Sequence, residues 1–402
     1  MEQALAAAAA GATDMKKISP MKKSAGNAKL GTLAFGNSIL AAALTLPAAH
    51  LAHADTAPER GMISFKHLDY QDSQPGWERV GVKADSVMVM APIAGQWSIE
   101  GVLTSDTVSG ASPAYHSQEL GSGIMHDKRD SHDIRITRYF SQGALTVGRS
   151  DSSESDYVSQ VYSVTGSVST EDKNTTFSLG LGLTDDMINA PAANVLNQPK
   201  KSSDVMLGIT RVLSVHDIAQ LNISHAEGRG YYSDPYKFFD NRPDHKSQTS
   251  VLVRWNHHFP QFDGTGRFSY RYYNDSFGVR AHTLGAEYVQ PLSHGWTVIP
   301  EMRLHSQEAA SFYVDPVNPP FPTIPAGFTP GTTIISQDQR LSGFGAITYG
   351  IKIQYQLNRD WLLDAEFEQY EQRGKWNLQG KGSPGIDPFQ ARILQVGITR
   401  YF

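Results

Sequence analysis

Beyond residue 60 the chain is written in short runs that alternate apolar and polar residues, separated by turn-forming residues. Ile347, Tyr349, Ile351, Ile353, Tyr355 and Leu357 alternate with Thr348, Gly350, Lys352, Gln354 and Gln356. Phe177, Leu179, Leu181 and Leu183 alternate with Ser178, Gly180, Gly182 and Thr184. A period of two with one apolar face is what a strand buried on one side requires. Such runs fall near 61–70, 80–90, 96–107, 131–140, 143–149, 157–170, 174–185 and 203–213. They continue near 217–227, 247–257, 266–275, 280–290, 296–307, 344–357, 361–371 and 391–402. The pattern therefore predicts an all-β protein of about sixteen strands, with 14 or 18 as alternatives.

The connections sort by parity. After the second strand every other link is short: 91–95, 141–142, 171–173, 214–216, 291–295 and 358–360. The links between them are long and rich in Gly, Pro, Ser and Asp: 108–130, 186–202, 228–246, 308–343 and 372–390. Transmembrane up-and-down β-barrels have this asymmetry, whereas a soluble sandwich has no reason for it. Both termini then belong to the short-turn side, which is the periplasm. Three of the short turns lead straight into tryptophan, at Trp97, Trp296 and Trp361. Aromatic rings favour the membrane interface, so these three with Phe140 and Phe402 are expected to form a girdle on that side.

The last strand carries Leu394, Val396, Ile398 and Phe402 on one face and Gln395, Gly397, Thr399 and Tyr401 on the other. Its closing pentapeptide, Ile398 to Phe402, repeats the one from Ile136 to Phe140. An alternating strand ending on phenylalanine resembles the signal by which Gram-negative barrels are handed to their insertion machinery. That resemblance implies such machinery as a partner and Phe402 as the recognised residue.

Composition supports the same class. No cysteine occurs, which excludes a lipid anchor, disulfides and thiolate metal sites. At the other end, Lys16, Lys17, Lys22, Lys23 and Lys29 precede an apolar stretch from Gly31 to Leu46 and a small-x-small site at Ala52-His-Ala54. This reads as a secretory signal over 1–54, with translation beginning at Met15 or Met21, ahead of one barrel domain over 55–402. Losing 1–54 removes five lysines against Glu2 and Asp14, so the formal net charge of −5 becomes −8. That balance argues against nucleic acid as a partner.

Chemistry is sparse. No nucleophile elbow, phosphate loop, metalloprotease helix or calcium loop is present, and the adjacent pair His257 and His258 points to opposite faces of a strand. No catalytic residue, cofactor or metal ligand is assigned. If the apolar faces meet lipid, the lumen receives Glu100, Asp133, Arg135, Arg254, Arg271, Glu287, Glu301, Arg303, Lys352, Asp364, Glu366 and Glu368. Charges at membrane depth must face water or one another. The run Asp364, Glu366, Glu368 is the strongest candidate, either a constriction or a set of struts paired with Lys352 or Arg392. The 308–343 link is expected to settle over the mouth, with Phe321 or Phe328 packed inside.

Arg271 to Gly278, Tyr288 to Trp296, Phe344 to Lys352 and Tyr370 to Gly374 resemble an uncharacterised bacterial family, domain of unknown function 3570, regarded as outer-membrane barrels. The resemblance runs from about residue 58 to the end. It implies place and fold, and brings no site residues. Outer-membrane lipid and lipopolysaccharide follow as surroundings. Architecture favours a passive channel for small polar solutes; the alternative is a non-conducting structural or assembly barrel that docks a periplasmic or surface partner. No enzyme is expected.

Overall fold

A computed structural model describes residues 56–402 except 76, 112–123, 238–239, 316–326, 330, 379 and 381. The expected signal over 1–54 lies outside the described residues. The strands are β1 (Met62–Gln74), β2 (Trp77–Ile93), β3 (Trp97–Ala111), β4 (Ile124–Phe140), β5 (Gly143–Ser153) and β6 (Tyr157–Ser169). They continue as β7 (Thr175–Ala190), β8 (Val195–Val212), β9 (Asp217–Gly230), the two-residue β10 (Asp240–Asn241), β11 (His245–Phe259) and β12 (Gly264–Asp275). The last are β13 (Arg280–Pro291), β14 (Trp296–Gln307), the two-residue β15 (Ile335–Ser336), β16 (Phe344–Gln356), β17 (Trp361–Arg373) and β18 (Phe389–Tyr401).

Sixteen of these close into one antiparallel barrel in which each strand pairs with its barrel neighbours in the chain and β18 returns to β1. The two short strands, β10 and β15, pair with each other outside it. Closure follows from the lack of water in a bilayer, where an open sheet edge would leave a row of backbone groups unsatisfied. The outer face is apolar where lipid meets it: Leu179, Leu207, Leu284, Tyr349, Phe367 and Leu394 all stand exposed. With its polar interior this is an outer-membrane β-barrel.

Strands run further than the alternation alone indicates. The 186–202 link, expected as a loop, is a continuation of β7 and β8 that leaves only 191–194 outside the ladder. The physical reason lies on the outer face, which turns polar at that height and so loses its apolar period while the backbone pairing goes on. There Lys201 Nζ meets Asp185 at 2.7 Å, His67 Nδ1 lies 2.8 Å from Asp85, and Arg149 pairs with Asp151 at 2.7 Å. The 108–130, 228–246 and 372–390 links shrink in the same way.

Gly61 and Phe402 exchange backbone hydrogen bonds, both 2.9 Å, so the described start of the barrel and its C-terminus share the short-turn end. The girdle residues stand at that end on the outer face. Arg138 lies 4.8 Å from the Trp97 ring and 5.7 Å from that of Phe140, while Arg400 lies 5.4 Å from Trp361. Trp296 stacks on Tyr355 at 4.4 Å. Trp255, stacked on Phe268 at 5.4 Å, joins them. No short turn precedes Trp255 in the sequence, so the turn-then-tryptophan pattern does not mark it.

Candidate functional site

The barrel interior is built from alternate residues of every strand, so register decides which charges meet. On β17, Leu363, Ala365 and Phe367 are exposed to lipid, which turns Asp364, Glu366 and Glu368 inward. Lys352 of β16 stands opposite Glu366 and donates to it at 2.8 Å. Arg303 of β14 approaches Glu368 at 3.5 Å. Asp364 finds its cation from the far end of the sequence: β1 pairs with β18 so that Lys66 faces Gly397, which faces Asp364, and Lys66 Nζ lies 3.7 Å from its carboxylate. Arg392, expected as a lumen base, instead shares the outer face with Leu394 and is exposed. The alternation of the last strand forces that outcome.

Two glycines make room for the carboxylates. A Cβ on Gly397 would collide with the Asp364 carboxylate, and one on Gly350 with Glu301. Glu301, Glu366 and Glu368 bring carboxylate oxygens within 4.8 Å of one another, and the Oε1 of Glu301 is closed off from solvent. On the adjoining wall the interior is apolar: Leu68, Tyr70, Val82, Ala84, Phe389, Ala391 and Ile393 form one buried cluster with Tyr370 against it. Beside it a bulge in β1–β2 pairing turns Arg79 toward Asp72, 3.8 Å away, and over the Phe389 ring.

The wall from β11 to β14, which continues round the barrel from β16, carries exposed charges. Arg254, Arg271 and Arg303 alternate with outward Val253, Trp255, Tyr270 and Met302, and all three are exposed within the barrel. Glu287 pairs with Arg267 at 3.6 Å, and Glu100 with Arg135 at 2.9 Å. Asp133, also inward, is half-buried. An apolar concavity of about 860 Å³ lies on the outer wall between Phe140, Val168, Phe177 and Leu207, where lipid chains belong.

At the long-loop end the connections knit together. Asp338 is fully buried and accepts from Arg242 and Arg340, each at 2.7 Å; Arg242 also reaches Asp240 at 2.7 Å and Arg340 reaches Asp234 at 2.8 Å. Burial pushes the Asp338 carboxyl up, but Arg340, Lys237 and Arg242 outweigh it and hold it well below the usual range. The network ties 231–244 to 308–343. Tyr236 donates to Asp156 at 2.6 Å and Gly385 to Asp315 at 3.1 Å, extending the chain of contacts from the β5–β6 turn to the β17–β18 link. Phe312 packs 5.1 Å from the Phe277 ring. Phe321 lies outside the described residues, and Phe328 is half-buried. Near the rim, Glu154 is pushed up to about 7, mainly by burial. Its carboxylate lies with those of Asp127 and Asp156 within 4.8 Å.

The sequence model of the family described as "Protein of unknown function (DUF3570)" matches residues 117–199 and 189–392, so the chain belongs to that family. No curated protein matches the chain. Among solved structures, a bacterial polysaccharide outer-membrane secretin aligns with a TM-score of 0.47 and 9% identity, over 85% of this chain and 98% of that one. Pseudomonas aeruginosa OccK2 (OpdF) aligns at 0.42 and 11%, over 85% and 98%. The siderophore receptor PirA from the same organism aligns at 0.43 and 7%, over 86% and 81%. The likeness is one of barrel architecture and carries nothing about solute or ligand.

Proposed function

We propose that this barrel is a passive outer-membrane channel for small polar solutes, with both termini in the periplasm and the knitted loops outside. The observation that carries the reading is the exposure of charged side chains inside a barrel of sixteen strands, a size that leaves aqueous space. Arg254 and Arg271 have no carboxylate partner among the described residues, so charge at membrane depth there calls for water. Long loops tied by Asp338 and its arginines would narrow the mouth. Lipopolysaccharide would surround the outer rim, and Phe402 would serve the insertion machinery.

A second reading has its own support. The carboxylates Asp364, Glu366 and Glu368 are paired with Lys66, Lys352 and Arg303, and the neighbouring wall is apolar and buried. A barrel filled this way serves as a scaffold for a periplasmic or surface partner. Planar-bilayer recording of the refolded protein separates the two. Steady unitary currents support the channel; a silent bilayer with correctly folded, heat-modifiable protein refutes it and leaves the scaffold.

A further inference from the structure

The interior charges differ in how fully they are used. The three β17 acids each face a cation, and Asp364 and Glu368 are buried. The arginines of β11, β12 and β14 are not satisfied to the same degree. Arg254 meets Gln220 at 3.5 Å, Arg271 lies 5.7 Å from the Tyr273 ring, and Arg303 has its single long contact to Glu368. Among the described residues neither Arg254 nor Arg271 pairs with a carboxylate. A guanidinium carries five donors in a fixed fork, so most of this capacity faces the open lumen.

Register gathers the three around one hollow. Arg254 stands opposite Ser269, Ser269 opposite Gly285, and Gly285 opposite Arg303. The two arginines are thus three strand spacings apart, about 14 Å along the wall. Only a hydroxymethyl group and a hydrogen lie between them. Arg271 follows Ser269 on the same face of β12 and stands opposite Thr283, whose hydroxyl is 2.9 Å from His305 Nδ1. Arg254 leans toward Gln220 of β9 and Arg303 toward Glu368 of β17, so the two flank a floor of Ser269, Thr283 and Gly285 from either side, with Arg271 beside it. The nearest acids are engaged: Glu287 with Arg267, Glu368 with Arg303, and Glu301 against Glu366 and Glu368.

We infer that this hollow binds a small oxyanion, a carboxylate of an organic acid, held by Arg254, Arg271 and Arg303. Forked, charge-assisted hydrogen bonds to a planar carboxylate supply orientation as well as attraction. The inference deepens the channel reading and rests on its open lumen: anionic solutes would be the favoured cargo.

The test is calorimetric titration of the refolded full-length barrel in detergent with succinate, inorganic phosphate and, as a neutral control, glucose. Saturable succinate binding is expected, weakened at least about tenfold for each arginine removed in Arg254→Gln and Arg271→Gln. Arg254→Lys should recover part of the loss, since it keeps charge without the fork. Phosphate binding without succinate binding would overturn the carboxylate assignment. So would equal affinity in the glutamine variants, or no saturable binding in wild type, provided all variants stay heat-modifiable. Bilayer recording keeps the two readings apart. Binding without conductance removes the channel and keeps the site, and conductance without binding does the reverse.

Discussion

Replacing Asp338 by asparagine should open the loop assembly without harming the barrel. The substitution keeps shape and removes one buried charge from a set in which Asp234, Asp240 and Asp338 offset Arg242, Arg340 and Lys237. Breaking a buried pair from one side costs about 3–5 kcal/mol. Arg242 retains Asp240 and Arg340 retains Asp234, so the lower end applies, about 3 kcal/mol or roughly a 100-fold shift in the local opening equilibrium. Asp338 also accepts from the Arg340 amide at 3.0 Å, and the asparagine oxygen can keep that bond. Hydrogen exchange reads the result residue by residue. The Ala310 amide donates to Leu341, that of Ser336 to Phe312, and that of Val314 to Ser336, at 2.8, 3.0 and 2.9 Å. These three should exchange about 100-fold faster in the variant while amides of β7 and β16 stay as in wild type. A rise below about threefold, under 1 kcal/mol, would show that the ion network does not hold these loops.

Deleting Phe402 removes the paired hydrogen bonds with Gly61 and the terminal ring, and folded, heat-modifiable barrel in the outer membrane should fall to a small fraction; normal amounts would refute the role of that end. Changing Asp364, Glu366 and Glu368 together to glutamine should lower the unfolding temperature, because Lys66 and Lys352 lose partners at about 3–5 kcal/mol per broken pair. A changed reversal potential at unchanged stability would instead make them pore-lining. Glu154 sits at about 7 against an ordinary 4.5, so the folded rim favours its protonated form. Stability of the rim should therefore decline as pH rises from 4.5 to 7 and then level off, and Glu154→Gln should flatten that slope; an identical slope in the variant would count against it.

The membrane-facing half of the fold is legible in the sequence because lipid demands an apolar residue at every second position. Val396 and Phe367 declare their strands without any knowledge of partners. Above the membrane that demand lapses. Lys201 sits in a well-paired strand opposite Asp185 yet reads as loop, since a charged outer face carries no apolar period. The inward register of Asp364, Glu366 and Glu368 followed directly from their neighbours, and so did Lys352 as a partner. Lys66 did not, because only closure of the barrel brings residue 66 beside 364. The apolar interior of β1 and β2 was equally hidden. Leu68 and Val82 alternate as any strand would, and nothing in the pattern tells that they face the interior.

That hidden wall coincides with the seam. Strands β18 and β1 are the most distant pair in sequence, and their pairing closes the whole chain into a loop, the largest entropic cost any two barrel strands meet. Until it forms, both carry a free edge able to pair with other chains. The interior packing is concentrated here: Leu68 and Tyr70 from β1 against Phe389, Ala391 and Ile393 from β18, with the Ser64 and Thr399 hydroxyls 2.8 Å apart. Lys66 reaches across β18 to Asp364, so this ion pair joins three strands over the closing junction. Hydrophobic burial and an ion pair placed at the one junction that local contacts cannot stabilise act as a latch. A latch must be enclosed and neutral to hold, which is why the acids of β17 are paired, whereas the wall from β11 to β14, joined by short neighbouring links, needs no such reinforcement and can leave its arginines facing water.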